Sequence, residues 1–270
     1  MLQALVCLIS IFIGTGTLGA WSADDPLKDL VDGLRVGTPQ KPEDWLSVLL
    51  EQPDGTVVTL ATEVDGQPFL GPNFAAVDRA GNAYFSDPCL DAIFRVTPEG
   101  TVTKWLDVPE PNGFAFSADE SELWVVSENK DLLCFFRIDD QGLERRGDLM
   151  RVPLVDGEPA GPVEFVEEDV GNFGDGIAFD VEGNLYMVFD LLDISFLGPI
   201  PLSIRLESGV WVRTPEGDFQ KWFSSLDTVW ANVAFGEGAF ASTDLYLTEF
   251  LPDNRIFRTE VGIDGLPLLH

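Results

Sequence analysis

The side chains able to do chemistry are few in kind. His270, at the C-terminal position, is the single histidine. Chain ends fray, so a Ser-His-Asp triad, a Cys-His dyad and a histidine-liganded zinc site all lack support. Cys7, Cys89 and Cys134 show no CxxC spacing, which removes a zinc knuckle and a redox motif. Cys89 and Cys134 are read as two buried thiols, with a bond between them as the alternative. Catalysis must therefore run on carboxylates, amides, hydroxyls or a metal held by oxygen atoms. Asn and Asp also shape turns, so a purely structural reading stays open for any residue of that kind.

The charge narrows the partners. With 46 Asp plus Glu against 16 Lys plus Arg, the formal charge is −30. Such a surface repels phosphate backbones and anionic membranes, which argues against nucleic-acid binding. Solubility or adaptation to salt accounts for it, and attraction of cations such as Ca²⁺ is the functional alternative. Residues 154–193 hold eleven acidic residues and no Lys or Arg, read as a solvated acidic surface.

The chain carries a repeat. A short strand, a turn and an aromatic strand ending in an acid recur: Phe74–Asp78 with Gly81–Asp87, Phe114–Asp119 with Leu123–Glu128, Ile177–Asp180 with Gly183–Asp190, and Val233–Phe235 with Leu245–Glu249. Tyr84, Trp124, Tyr186 and Tyr246 hold equivalent places and are read as blade core. Asp78, Asp87, Asp119 and Asp180 are read as structural turn or inter-blade residues. A second hairpin follows, turning at Pro98-Glu-Gly100 and Pro215-Glu-Gly217, where Gly supplies positive φ. Asp139–Gly142 and Gly262–Gly265 are read as the same turn in their copies. Four short strands per unit of about 40 residues predict an all-β propeller of four-stranded blades. Four full blades are recognisable, preceded by an outer hairpin, Leu46–Leu50 with Thr56–Leu60, as a partial one.

Leu2–Gly19 is apolar and uncharged, with small residues around Ala20–Ala23. It predicts a secretory signal peptide over 1–23, hence a secreted or periplasmic protein with no stable membrane insertion once the signal is removed. The alternatives are an uncleaved anchor or a wrongly chosen start codon. Residues 24–44 form an N-terminal arm, opening on a short helix or irregular stretch, and 45–270 the propeller domain. Leu191–Leu202 is an apolar insertion, either a lid, a partner-binding loop or packing against the blades.

Four motifs carry a resemblance over about residues 45–268. They are Gly71-Pro-Asn73 with Tyr84-Phe-Ser-Asp-Pro88, Pro111-Asn-Gly-Phe-Ala-Phe-Ser-Ala-Asp119, Gly174-Asp-Gly-Ile-Ala-Phe-Asp180, and Ala231-Asn-Val-Ala-Phe-Gly236 with Leu245-Tyr-Leu-Thr248. In this order they resemble the gluconolactonase, regucalcin and luciferin-regenerating enzyme family of six-bladed propellers. The resemblance implies one divalent metal at the top of the central tunnel, Ca²⁺ in most members, with Zn²⁺ or Mg²⁺ as alternatives. It implies Asn112 and Asp175 as metal ligands and Asp175 also as general base. It implies Asn73 as a contact to substrate or to a metal-bound water, and Asn232, facing the same tunnel, as a second substrate-binding residue. The family's Glu ligand lies in a first-blade Glu-Gly-Pro motif that this chain lacks; that blade and the inner half of the second have no recognisable counterpart. The implied activity is metal-dependent hydrolysis of small lactones or related esters. The alternatives are a catalytically impaired binding or scaffold propeller, and a truncated gene product. The oligomeric state is left open.

Overall fold

Runs such as Leu123–Val126 are apolar at successive positions rather than alternate ones. A strand of that kind must be covered on both faces. The computed structural model, which describes residues 48–51, 57–134, 146–197, 200–251 and 253–267, shows how: small antiparallel sheets stack face to face around an axis. The signal-peptide and arm segments, 1–23 and 24–44, lie outside the described residues. So do the turns at Pro53–Gly55 and Asp139–Gly142, and His270.

A hairpin of β1 (Val48–Glu51) and β2 (Val57–Ala61) comes first, as the partial blade requires. A minimal pair, β3 (Glu63–Val64) and β4 (Gln67–Pro68), follows. Blade I holds β5 (Ala75–Val77), β6 (Ala83–Asp87), β7 (Ala92–Val96) and β8 (Val102–Asp107), side by side in that order. Blade II holds β9 (Pro111–Phe116), β10 (Glu122–Ser127), β11 (Gly147–Val155), β12 (Glu158–Pro159) and β13 (Glu164–Gly171), with a one-turn helix α1 (Lys130–Leu133) after β10. There β11 pairs with both β12 and β13. Blade III holds β14 (Phe173–Phe179), β15 (Leu185–Leu197), β16 (Ile200–Arg213) and β17 (Phe219–Ser225). Blade IV holds β18 (Val229–Phe235), β19 (Asp244–Leu251) and β20 (Ile256–Glu260).

The expected hairpins are present. Gly100 and Gly217 turn β7 into β8 and β16 into β17 at φ 83° and 98°, which only Gly adopts freely. Gly262–Gly265 departs from expectation. Instead of turning into a fourth strand, this segment reaches back to blade III. Val181 N–H donates to the Asp264 carbonyl and Leu266 N–H to the Phe179 carbonyl, each at 2.9 Å. Blade IV therefore shows three strands among the described residues. The apolar insertion at 191–202 becomes a continuation of β15 and β16 as a two-stranded ribbon, paired out to Leu197↔Ile200.

Apolar clusters lie between neighbouring sheets. Tyr84 and Ile93 of blade I meet Phe114, Leu123 and Met150 of blade II. Trp124 and Val126 of blade II meet Met187 and Trp211 of blade III. Tyr186 and Val188 of blade III meet Val233 and Leu247 of blade IV. Each fully buried Leu, Val or Ile contributes about 1.5–3 kcal/mol, so stacking holds the blades together. The expected core aromatics Tyr84, Trp124, Tyr186 and Tyr246 are all buried. Asp78 and Asp180 are structural as expected. Each accepts from the backbone and side chain of the Asn four residues on and from the hydroxyl of the Tyr six residues on.

The reading of Cys89 and Cys134 as free thiols is overturned. They form a disulfide, with Cα atoms 5.7 Å apart. The bond joins the turn after β6 in blade I to the end of α1 in blade II. Their approach depends on the packing of two blades, which their sequence spacing does not encode. No helix among the described residues is long and apolar enough to cross a membrane.

Candidate functional site

The four flagged residues all sit at or near the start of an innermost strand. Asn73 precedes β5, Asn112 is the second residue of β9, Asp175 the third of β14 and Asn232 the fourth of β18. The register slips at these places. The β9–β10 ladder skips across Asn112-Gly113, the β14–β15 ladder across Asp175-Gly176, and the β18–β19 ladder across Ala231. Such bulges re-aim side chains that a regular ladder would hold in alternation.

The glycines explain the spacing. A Cβ on Gly113 would lie 2.1 Å from the Asp175 carbonyl oxygen, and one on Gly176 would lie 2.0 Å from Asn232 Oδ1. Asn-Gly and Asp-Gly are therefore devices for close approach. Each glycine admits the next blade's inner strand beside the polar residue that precedes it. Asn112, Asp175 and Asn232 are brought together in this way, blade by blade.

Asn73 joins them through a residue that the sequence reading did not flag. Glu128 follows β10 and is only 3 % exposed. Its Oε1 accepts from Asn73 Nδ2 at 3.2 Å and its Oε2 from Asn112 Nδ2 at 2.8 Å. Burial raises the Glu128 carboxyl to about 8, against the pull of the Asn112 and Asn73 amides and with repulsion from Glu110 and Asp87. Asp175 lies deep in the ring and keeps partial contact with solvent. Its pKa is raised well above the usual range, first by burial, then by repulsion from Glu128 and Asp190, and the Asn112 amide opposes this. Asp190 ends its run in β15; burial lifts it to about 7, with Ser208 opposing.

Two acceptors here lack partners: Asn112 Oδ1, on a side chain 2 % exposed, and Asp190 Oδ1. A buried acceptor without a donor costs about 1–3 kcal/mol. The site thus gathers carboxyl groups whose charged forms burial disfavours, beside an unused carbonyl oxygen. A cation bound by oxygen ligands would relieve both. Among the described residues no three acidic, Cys or His side chains converge tightly enough to hold a metal by themselves. The Asn112 amide oxygen is a further oxygen donor beside Asp175. Asn232 differs, because its Oδ1 accepts from the N–H of Val233 at 2.8 Å and is turned onto its own strand.

The signal for Glu128 was present in the repeat, since every aromatic strand ends in an acid: Asp87, Glu128, Asp190 and Glu249. Their fates differ. Asp87 accepts from the N–H groups of Leu70, Gly71, Cys89 and Leu90, a structural role as expected. Glu249 is held by Arg255 and Thr228. Glu128 and Asp190 are left facing the site.

The fold and this ring of amides and carboxylates define a class: a β-propeller whose polar site is built from the starts of its inner strands and the acid ends of the strands beside them. Residues 33–195 match the SMP-30/Gluconolactonase/LRE-like region, and the chain belongs to that family. A gluconolactonase of Zymomonas mobilis is 26 % identical over 143 aligned positions, covering 45 % of this chain and 37 % of that protein. A gluconolactonase structure from Xanthomonas campestris superposes with TM-score 0.55 at 19 % identity, covering 76 % of this chain and 62 % of the other. A regucalcin from Agrobacterium tumefaciens, described as a calcium-binding protein, superposes with TM-score 0.53 at 18 % identity, covering 82 % and 70 %. At these identities the superpositions bear on the fold. The chain thus spans about a third of the curated relative's length and about two thirds of the solved ones.

Proposed function

We propose that the protein hydrolyses small lactones or related esters with the help of a divalent metal, Ca²⁺ before Zn²⁺ or Mg²⁺. The observation that carries this reading is the buried, unpartnered Oδ1 of Asn112 beside Asp175. Hard cations take amide and carboxylate oxygens, and these two residues would hold the ion. When bound, a divalent metal supplies Lewis acidity to a substrate carbonyl.

The chain's own residues do the rest. Asp175, which a neighbouring cation would keep ionised against its raised pKa, accepts the proton of the attacking water as general base. Water oxygen bonds to the acyl carbon, the ring C–O bond breaks, and the leaving oxygen takes up a proton, giving a hydroxy acid. Asn73, exposed beside Glu128, offers its amide to the substrate. A neutral lactone is not repelled by the formal charge of −30, whereas the anionic product is. The Cys89–Cys134 bond supports the expectation of a secreted or periplasmic site of action, since disulfides persist in oxidising compartments.

The test is hydrolysis of a δ-lactone, followed by release of acid, with and without Ca²⁺, for wild type and Asp175→Ala. Activity that needs both the metal and Asp175 supports the reading. Undiminished turnover by Asp175→Ala sinks it.

A further inference from the structure

Glu128 has no part in the reaction just described, yet its carboxyl touches two of the site's amides. We infer that Glu128 is a positioning residue: its carboxylate sets which way round the Asn112 amide sits, and so presents the Asn112 carbonyl oxygen to the cation. This rests on the metal-dependent reading above.

An amide side chain has nearly the same shape either way round, so packing cannot choose between its oxygen and its nitrogen. Only hydrogen-bond partners choose. Both carboxyl oxygens of Glu128 act as acceptors here, so each faces an amide nitrogen. Glu128 gives one oxygen to Asn112 Nδ2 at 2.8 Å and the other to Asn73 Nδ2 at 3.2 Å. With the nitrogen of Asn112 committed there, Oδ1 is directed away from Glu128. That oxygen is the buried atom without a partner. Asn112 is also nearly closed to solvent, so no bulk water corrects a wrong orientation. Asn73 is exposed and finds water if it loses its acceptor. The lock is supplied by neighbouring structure: Glu128 N–H donates to the Glu110 carbonyl at 2.9 Å, and Glu128 bridges to Phe173 at the start of blade III.

Two variants separate orientation from charge. Glu128→Gln and Glu128→Leu both remove the titratable group, but only Gln keeps an acceptor; that its oxygen takes the Asn112 Nδ2 donor is checked by NMR, as protection of the Asn112 NH₂ protons from exchange. The experiment is calorimetric titration with CaCl₂ of wild type and both variants, with the melting temperature of each in EDTA as a fold control. Orientation by hydrogen bonding predicts that Glu128→Leu binds Ca²⁺ at least about tenfold more weakly than Glu128→Gln. Equal affinities for the two variants would overturn the inference, since charge alone treats them alike. A wild type that binds no divalent ion brings down the metal-dependent reading and this inference with it. A wild type that binds, with equal Gln and Leu variants, brings down only the role of Glu128. If Glu128→Leu fails to fold, wild type gives the answer by NMR. On Ca²⁺ addition the Asn112 side-chain carbonyl carbon should shift while its NH₂ protons stay protected from exchange. Loss of that protection overturns the inference.

Discussion

Gly113 lies so close to Asp175 that a Cβ at position 113 would come within 2.1 Å of the Asp175 carbonyl oxygen. The contact is to backbone of the next blade, which cannot swing aside. Gly113→Ala should therefore push β14 away from β9, destabilise the protein by about 3 kcal/mol or more, and weaken Ca²⁺ binding together with stability. Urea unfolding and calorimetry check both. A variant as stable as wild type would show that the two blades separate freely.

Asn73 and Asn232 share an expectation of substrate contact, and the geometry separates them. Asn73 is exposed at the site, with its amide nitrogen on Glu128. The Asn232 carbonyl oxygen is engaged by Val233 N–H. Asn73→Ala should raise KM about three- to tenfold with kcat little changed, as for lost uniform binding. Asn232→Ala should leave KM within about twofold and cost about 1 kcal/mol of stability, the worth of one hydrogen bond. Steady-state lactone kinetics and melting curves test the pair.

Glu249 sets an acid limit. Burial pushes its carboxyl up, but hydrogen bonds from Arg255 and Thr228 more than offset this and hold it at about 2, below the usual 4.5. A depressed carboxylate adds stability that is complete above the unfolded value and lost as pH falls toward the folded one. The window is therefore about pH 4.5 down to about 2. The loss should be about 2 kcal/mol, discounted because Arg255 is half-exposed. Unfolding midpoints of wild type should fall more steeply across that window than those of Glu249→Gln. Parallel curves would remove Glu249 as the cause.

The Cys89–Cys134 bond closes a loop with a sequence separation of 45 residues. In the chain-entropy account such a loop is worth about 4 kcal/mol, and about 2–4 in practice. Cys134→Ser, or reduction with dithiothreitol, should lower the melting temperature accordingly. Since α1 closely follows Glu128, Ca²⁺ affinity should fall as well. Non-reducing peptide mapping that finds free thiols would contradict the bond.

Much of the fold was legible because blade structure is local. Apolar strand runs, Gly turns and the recurring Asp-x-x-Gly-Asn-x-Tyr turn arise within about 40 residues, so Tyr84, Tyr186, Asp78 and Asp180 could be assigned from the repeat. The polar residues at the inner strand starts were picked out by the family resemblance of four motifs in order, and not by the repeat. Among the described residues the fourth blade shows three strands where four were expected, because a Gly-rich turn does not say where the chain goes next; Asp264 and Leu266 find partners in blade III.

By itself, then, the sequence determined a propeller built from repeated hairpins, with carboxylates, amides and hydroxyls as the groups it offers for chemistry. Only the tertiary structure decided which of them meet. Asp87, Glu128, Asp190 and Glu249 hold one position in the repeat, yet one caps a turn, one binds an arginine and two face the site. Asn73 and Glu128 are 55 residues apart, as Cys89 and Cys134 are 45. The reason is physical. A blade's own residues specify its strands, but the partner of a side chain at a strand end belongs to the neighbouring blade, and stacking alone brings it there.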